Sequence, residues 1–211
     1  MRIDDEINSL STKLLEIASI AEENLKRSTN YYKNIEDKPN IDDDIVDRME
    51  REIEESCLEI MLRERPFAKD MRELSGILTL VSDIERLGDH AEDIEELTDK
   101  IKACEIYEFK SVYKMLDEAL KMVHNAILSF INKDESLATT VINSDDLIDK
   151  MFEEEISNLI NLDSSHKISS KLAILTTLVV KYIERIADHA VNIAEWVIYL
   201  IRGFYKDKQI F

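Results

Sequence analysis

"ERLGDHAEDI" at residues 85–94 and "ERIADHAVNI" at residues 184–193 place a glutamate, an arginine, an aspartate and a histidine in the same order, at an offset of 99. Each stretch sits in a run whose apolar residues recur every three or four positions, the period of a helix with one face turned to a core. "DDIVDRM" at 43–49 answers "DDLIDKM" at 145–151 at an offset of 102. The same 102 carries the seam Ile7, Leu10, Leu14, Ile17 and Ala21 onto Phe109, Val112, Leu116, Ala119 and Val123, all apolar. Three matched segments in one order mean a tandem duplication, with three residues lost between the second and third segments of the later copy.

Helix punctuation divides each copy into three. The first helix is expected to run to about Ile35, where "EDKPN" breaks it, and the second from about Ile41, behind Asn40, to "RERP" ahead of Pro66. The third is expected from about Phe67 to Ile101. In the later copy the helices are expected at about Phe109–Asn132, Asp134–Leu162 and Lys167–Arg202. The fold class is therefore all-α: a duplicated three-helix bundle of six long antiparallel helices, with repeats at 1–104 and 105–211. Three glycines and two prolines in 211 residues, with no Gly- or Ser-rich linker, imply halves packed rigidly together.

The net charge of −18 argues against a nucleic-acid partner, since phosphate backbones are bound by Lys and Arg that displace counterions, and equally against an anionic membrane surface. Cys57 and Cys104 stand at no metal-binding spacing and are expected to be reduced thiols. The amino terminus carries acids where a signal peptide needs an apolar stretch, and the apolar runs fall short of the ~18 residues of a membrane span. A soluble cytoplasmic protein is the expectation. Trp196 and its neighbours make the last helix apolar nearly all round, from core packing or a homodimer interface.

The acids are the anomaly. On a wheel of about 100° per residue, Glu85 and Asp89 continue the row of Leu74, Leu78 and Val81, and Glu184 and Asp188 repeat this in the later copy. A carboxylate on such a row must be paired, hydrogen-bonded, protonated or bound to a cation. Arg86 and Arg185 stand three residues before an aspartate and can bridge it along the helix. The second helix of each copy adds a pair four apart, Asp43 with Asp47 and Asp145 with Asp149. Two such helices face to face would gather four carboxylates without a nearby Lys, a donor set for iron, manganese, magnesium or calcium rather than zinc. His90 and His189 follow the aspartates and point about 100° away, toward helix packing or contact with a ligand residue rather than ligation. A carboxylate-bridged di-iron enzyme needs Glu-x-x-His on two helices, and Glu85 and Glu184 are followed three residues on by Gly88 and Ala187.

These motifs, with "RERPFAKDMREL" (63–74) and "FINKD" (130–134), resemble the PhoU family of phosphate-uptake regulators over the whole chain. The resemblance implies two three-helix bundles and a non-catalytic cytoplasmic regulator that contacts the ATPase subunit of a phosphate ABC transporter and a phosphate-sensing histidine kinase. It also implies a multinuclear metal site at the four acid pairs. The alternative role is an accessory protein of a secondary phosphate carrier. Two departures stand out: Arg72 is answered by Lys171, and "AEDIEEL" is more acidic than the family pattern.

Overall fold

The computed structural model describes residues 3–41, 44–205 and 208–209. Seven helices follow one another: α1 (Ile3–Tyr32), α2 (Asp44–Glu64), α3 (Lys69–Lys102), α4 (Lys110–Asn132), α5 (Glu135–Asn143), α6 (Asp145–Ser164) and α7 (Ser170–Arg202). The segment expected as one helix over 134–162 is thus two, with a turn at Ser144. A short antiparallel pair, β1 (Phe204–Tyr205) with β2 (Lys208–Gln209), follows α7.

Both seams are core. Ile7, Leu10, Leu14, Ile17 and Ala21 are buried, and so are all five counterparts from Phe109 to Val123. Local chemistry sets the ends. Asn34, at φ 57°, lets the chain leave α1 two residues after Tyr32, and Ser169 caps α7 by accepting a hydrogen bond from the Leu172 amide at 3.2 Å. Gly203, at φ 81°, ends α7 in the left-handed region, and its amide donates to the Tyr199 carbonyl at 2.8 Å.

In each copy the first and last helices pack together, α1 on α3 and α4 on α7, while α2 lies on α1 and α3 and α6 lies on α4 and α7. The copies meet chiefly through α3 and α7, with α1 also resting on α4. A Cβ on Gly76 would lie 2.6 Å from Leu200 Cδ2, so a side chain there would push against α7. This junction accounts for part of the apolarity of α7: Trp196 packs partly buried against the core, edge-on to Tyr199 at 5.0 Å, while Ile201 stays exposed. Among the described residues no helix is long and apolar enough to cross a membrane.

Candidate functional site

The acids do not sit in the core; they line the groove between the second and third helix of each copy. From Leu74 to Asp89 is fifteen residues, which at about 100° each leaves Asp89 some 60° off the buried stripe. The row therefore drifts to the rim: the Glu85 side chain is 15% exposed and Asp89 29%.

In the first copy the drift brings α2 and α3 carboxylates together. Asp47, Glu85 and Asp89 each offer an oxygen within 4.8 Å of the other two, and this is the one such group among the described residues. Asp43 lies outside the described residues. Burial first, then Asp89, pushes the Glu85 carboxyl up to about 7. Arg86 offsets part of this, with Nη1 3.0 Å from Asp89 and Nε 3.4 Å from Glu85. Glu50, which the sequence reading passed over, joins them: burial, then Glu54 and Asp47, raises its carboxyl as well. Glu50 is one turn beyond Asp47 on the same face, so its signal was an i, i+3 spacing where only i, i+4 had been considered. The set of oxygen donors, carrying more negative charge than one guanidinium neutralises, fits a hard cation.

The second copy departs from this. Lys181, three residues before Glu184, donates to that carboxylate, so the expectation of acids without a nearby Lys fails here. Ser82 holds the equivalent position in the first copy. Asp149 and Asp188 are exposed, and the four acids do not gather as the first set does. They still feel one another: burial, then Asp149 and Asp188, lifts Asp145 to about 6. Burial and Glu184 raise Asp188, against Lys181 and His189. Arg185 does not bridge Asp188; it lies over the Tyr182 ring, with Cζ 5.9 Å from the centroid.

The histidines are packing groups at the junction of the copies. His90 and His189 face each other with ring centroids 5.6 Å apart, and His90 also lies 5.2 Å from Tyr182. His189 Nδ1 is 2.9 Å from Asp83 Oδ1, which also accepts from Asn192 Nδ2 at 3.3 Å. His90 Nδ1 is 3.3 Å from Asp93 Oδ2. Adding 99 turns Asp83 into Tyr182, His90 into His189 and Asp93 into Asn192, so these cross-pairs exchange about a local two-fold that the duplication created. Asp83 and Asn192 were not anticipated, because pairing across copies follows from the two-fold and not from spacing within a helix.

This duplicated groove architecture has known relatives. The family model for the PhoU domain matches the chain twice, at residues 14–98 and 112–197. The chain belongs to the PhoU family. A phosphate-specific transport system accessory protein PhoU homolog of Clostridium acetobutylicum is 30% identical over 216 residues, covering 97% of this chain and 96% of that one. The homolog of Pseudomonas aeruginosa is 36% identical over 167 residues, or 76% of this chain and 67% of that one. The crystal structure of PhoU from Pseudomonas aeruginosa superposes with a TM-score of 0.88 at 27% identity, over 96% of this chain and 100% of that one. That of the phosphate transport system regulatory protein PhoU from Streptococcus pneumoniae, at 22% identity and a TM-score of 0.82, shares the fold. The PhoU fold is thus the duplicated helical bundle read from the two offsets.

Proposed function

We propose that this chain is an accessory protein of phosphate transport that restrains phosphate uptake and the starvation response. It acts as a non-catalytic adaptor between the ATPase subunit of a phosphate ABC transporter and a phosphate-sensing histidine kinase, in the cytoplasm. The observation that carries this reading is the match of both copies to the PhoU domain, together with near full-length relatives named as phosphate-transport accessory proteins. The acidic, all-helical surface supports protein partners over nucleic acid. Accessory action on a secondary phosphate carrier is the other reading that the family allows.

In the same reading the first groove holds a divalent or ferric cation through Asp47, Glu85 and Asp89, with Glu50 beside them. What supports it is the close set of oxygens and the raised Glu85 carboxyl. Such an ion would supply the positive charge that lets α2 and α3 keep these acids ionised side by side. Co-purification with tagged protein from cells at high and at low phosphate tests the adaptor. Recovery of a phosphate-transport ATPase or sensor kinase is expected, and absence of both under both conditions would refute it. Elemental analysis of the wild type against Asp89→Ala and Asp188→Ala tests the site. Loss of metal in the first variant alone is expected; equal content in all three would overturn the assignment.

A further inference from the structure

The duplication provides an internal control, because equivalent positions in the two grooves began as the same residue. The grooves have diverged along one line. Moving down the first groove from its acids, the α2 and α3 positions are Glu50, Glu54, Leu58, Ser75 and Thr79. Their equivalents in the second groove are Phe152, Ile156, Ile160, Ile174 and Leu178. Four positions that are polar in the first groove are apolar in the second, and Leu58 is answered by Ile160. Phe152, Ile156 and Ile160 repeat every four residues on α6, and Leu178 and Ile174 descend the facing side of α7. The register between them is fixed where Lys181 Nζ lies over the Phe152 ring at 5.5 Å.

This apolar face is open. Ile160 is 60% exposed, Ile174 62% and Leu178 44%. Exposed isoleucine and leucine scattered singly need no explanation, but a row built at equivalent positions where the sister copy is polar does. The upper end of the same groove bears Asp145 and Asp149 on α6 and Asp188 on α7, near enough for their charges to act on one another. The surface is therefore a trough, apolar along its length and anionic at one end. A second copy would bring the same acids and the same net charge of −18, and supplies no complement.

We propose that the α6–α7 groove docks an amphipathic helix of a partner protein, apolar along one face and carrying Lys or Arg at the end that meets Asp145, Asp149 and Asp188. This deepens the adaptor reading above, on which it rests, by assigning partner capture to the second copy and leaving cation binding to the first. Helix-in-groove recognition inserts side chains at i, i+3, i+4 and i+7 of the docked helix, and the two facing rows offer walls with an apolar side chain at every fourth residue.

The test uses the full chain and a defined probe: a synthetic fluorescent helix of ~20 residues, Leu on one face and Lys at one end, with a Glu-ended version as control. Binding is read by fluorescence anisotropy at several salt concentrations. Ile174→Ser with Leu178→Thr gives the second groove the residues of the first, and is expected to weaken binding about thirtyfold. Asp145→Asn with Asp149→Asn should weaken it several-fold and flatten its salt dependence. Ser75→Ala with Thr79→Ala, in the first groove, should leave it unchanged. Ile174 and Leu178 are exposed, and circular dichroism verifies that every variant keeps the fold. Equal affinity across all variants, or equal binding of the Glu-ended helix, would overturn the proposal. So would a dimer in sedimentation equilibrium that Ile174→Ser with Leu178→Thr dissolves, since that outcome assigns the groove to a second copy. A failed probe with an ATPase still recovered by co-purification refutes the groove and spares the adaptor.

Discussion

Glu85→Gln probes the first groove through a reversal of sign. In the metal-free protein the Glu85 carboxyl is lifted from its ordinary 4.5 to about 7, first by burial and then by Asp89, with Arg86 working against the shift and Glu50 and Asp47 with it. The folded protein thus holds this proton more tightly than the unfolded chain does. Stability therefore falls as pH rises from about 4.5 to about 7, and above that window the loss is complete. At ~1.4 kcal/mol per tenfold the full shift is worth ~3 kcal/mol, which screening in an open groove reduces to about 1–2 kcal/mol. Glutamine keeps the shape without the charge. Metal-free Glu85→Gln should accordingly melt about 3–6 °C above wild type at pH 8 and converge with it near pH 5. Saturating manganese should invert the order, because a ligand at a hundred times its Kd stabilises the wild type by ~2.7 kcal/mol and the variant lacks a donor. Differential scanning calorimetry at pH 5 and pH 8, with chelator and with manganese, reads all four conditions. Identical pH dependence in the two proteins, or equal stabilisation of both by manganese, would refute the reasoning.

Three further outcomes are expected elsewhere. Lys181→Ser, which gives the second groove the residue of the first, should free Glu184 and add a second binding event in a calorimetric manganese titration; a single event as in wild type would show that Lys181 is not what distinguishes the sites. Asp83→Ala should destabilise the junction by about 1–3 kcal/mol, because His189 and Asn192 lose their shared acceptor; a melting temperature within a degree of wild type would deny the pair any structural role. Gly203→Ala places a Cβ 2.7 Å from the Arg72 guanidinium at a φ of 81°, and should cost about 1–2 kcal/mol, read as a lower urea midpoint at unchanged slope.

The bundles were legible because both signals that specify them are local and redundant. The seam from Ile7 to Ala21 marks a core face, and its copy from Phe109 to Val123 repeats the evidence, so each half checks the other. The turn at Ser144 was not legible: "INSDDL" carries no Pro or Gly, and the helix breaks by a one-residue change of hydrogen-bond pattern. At the site, the wheel brought Glu85 and Asp89 to one side of α3 and Asp47 to the facing side of α2, which proved to be neighbours. What the wheel lacked was a radius. It ranked residues by angle alone, so a drift of about 60° that moves a carboxylate from core to rim read as burial. Lys181 and Glu50 escaped for a related reason: each enters the groove from one turn away, at a spacing of three.

The divergence of the two grooves bears on why the duplication was kept. A bundle of three helices leaves one groove between its second and third members, and two fused copies have two. Cation binding and apolar docking compete where they share the same stretch of groove, since apolar walls raise the cost of ionised acids and bound water weakens apolar docking. Burial already lifts Glu85 to about 7 in a groove walled by Ser75, Thr79 and Glu54. Isoleucine and leucine at those positions would raise it further and favour the protonated, non-ligating form at neutral pH. The second groove has gone the other way: its apolar walls come with Lys181, which neutralises Glu184 from within the chain and removes the need for a cation there. On the functions proposed above, separate grooves on one frame, joined where His90 and His189 meet, would divide the two tasks within a single chain.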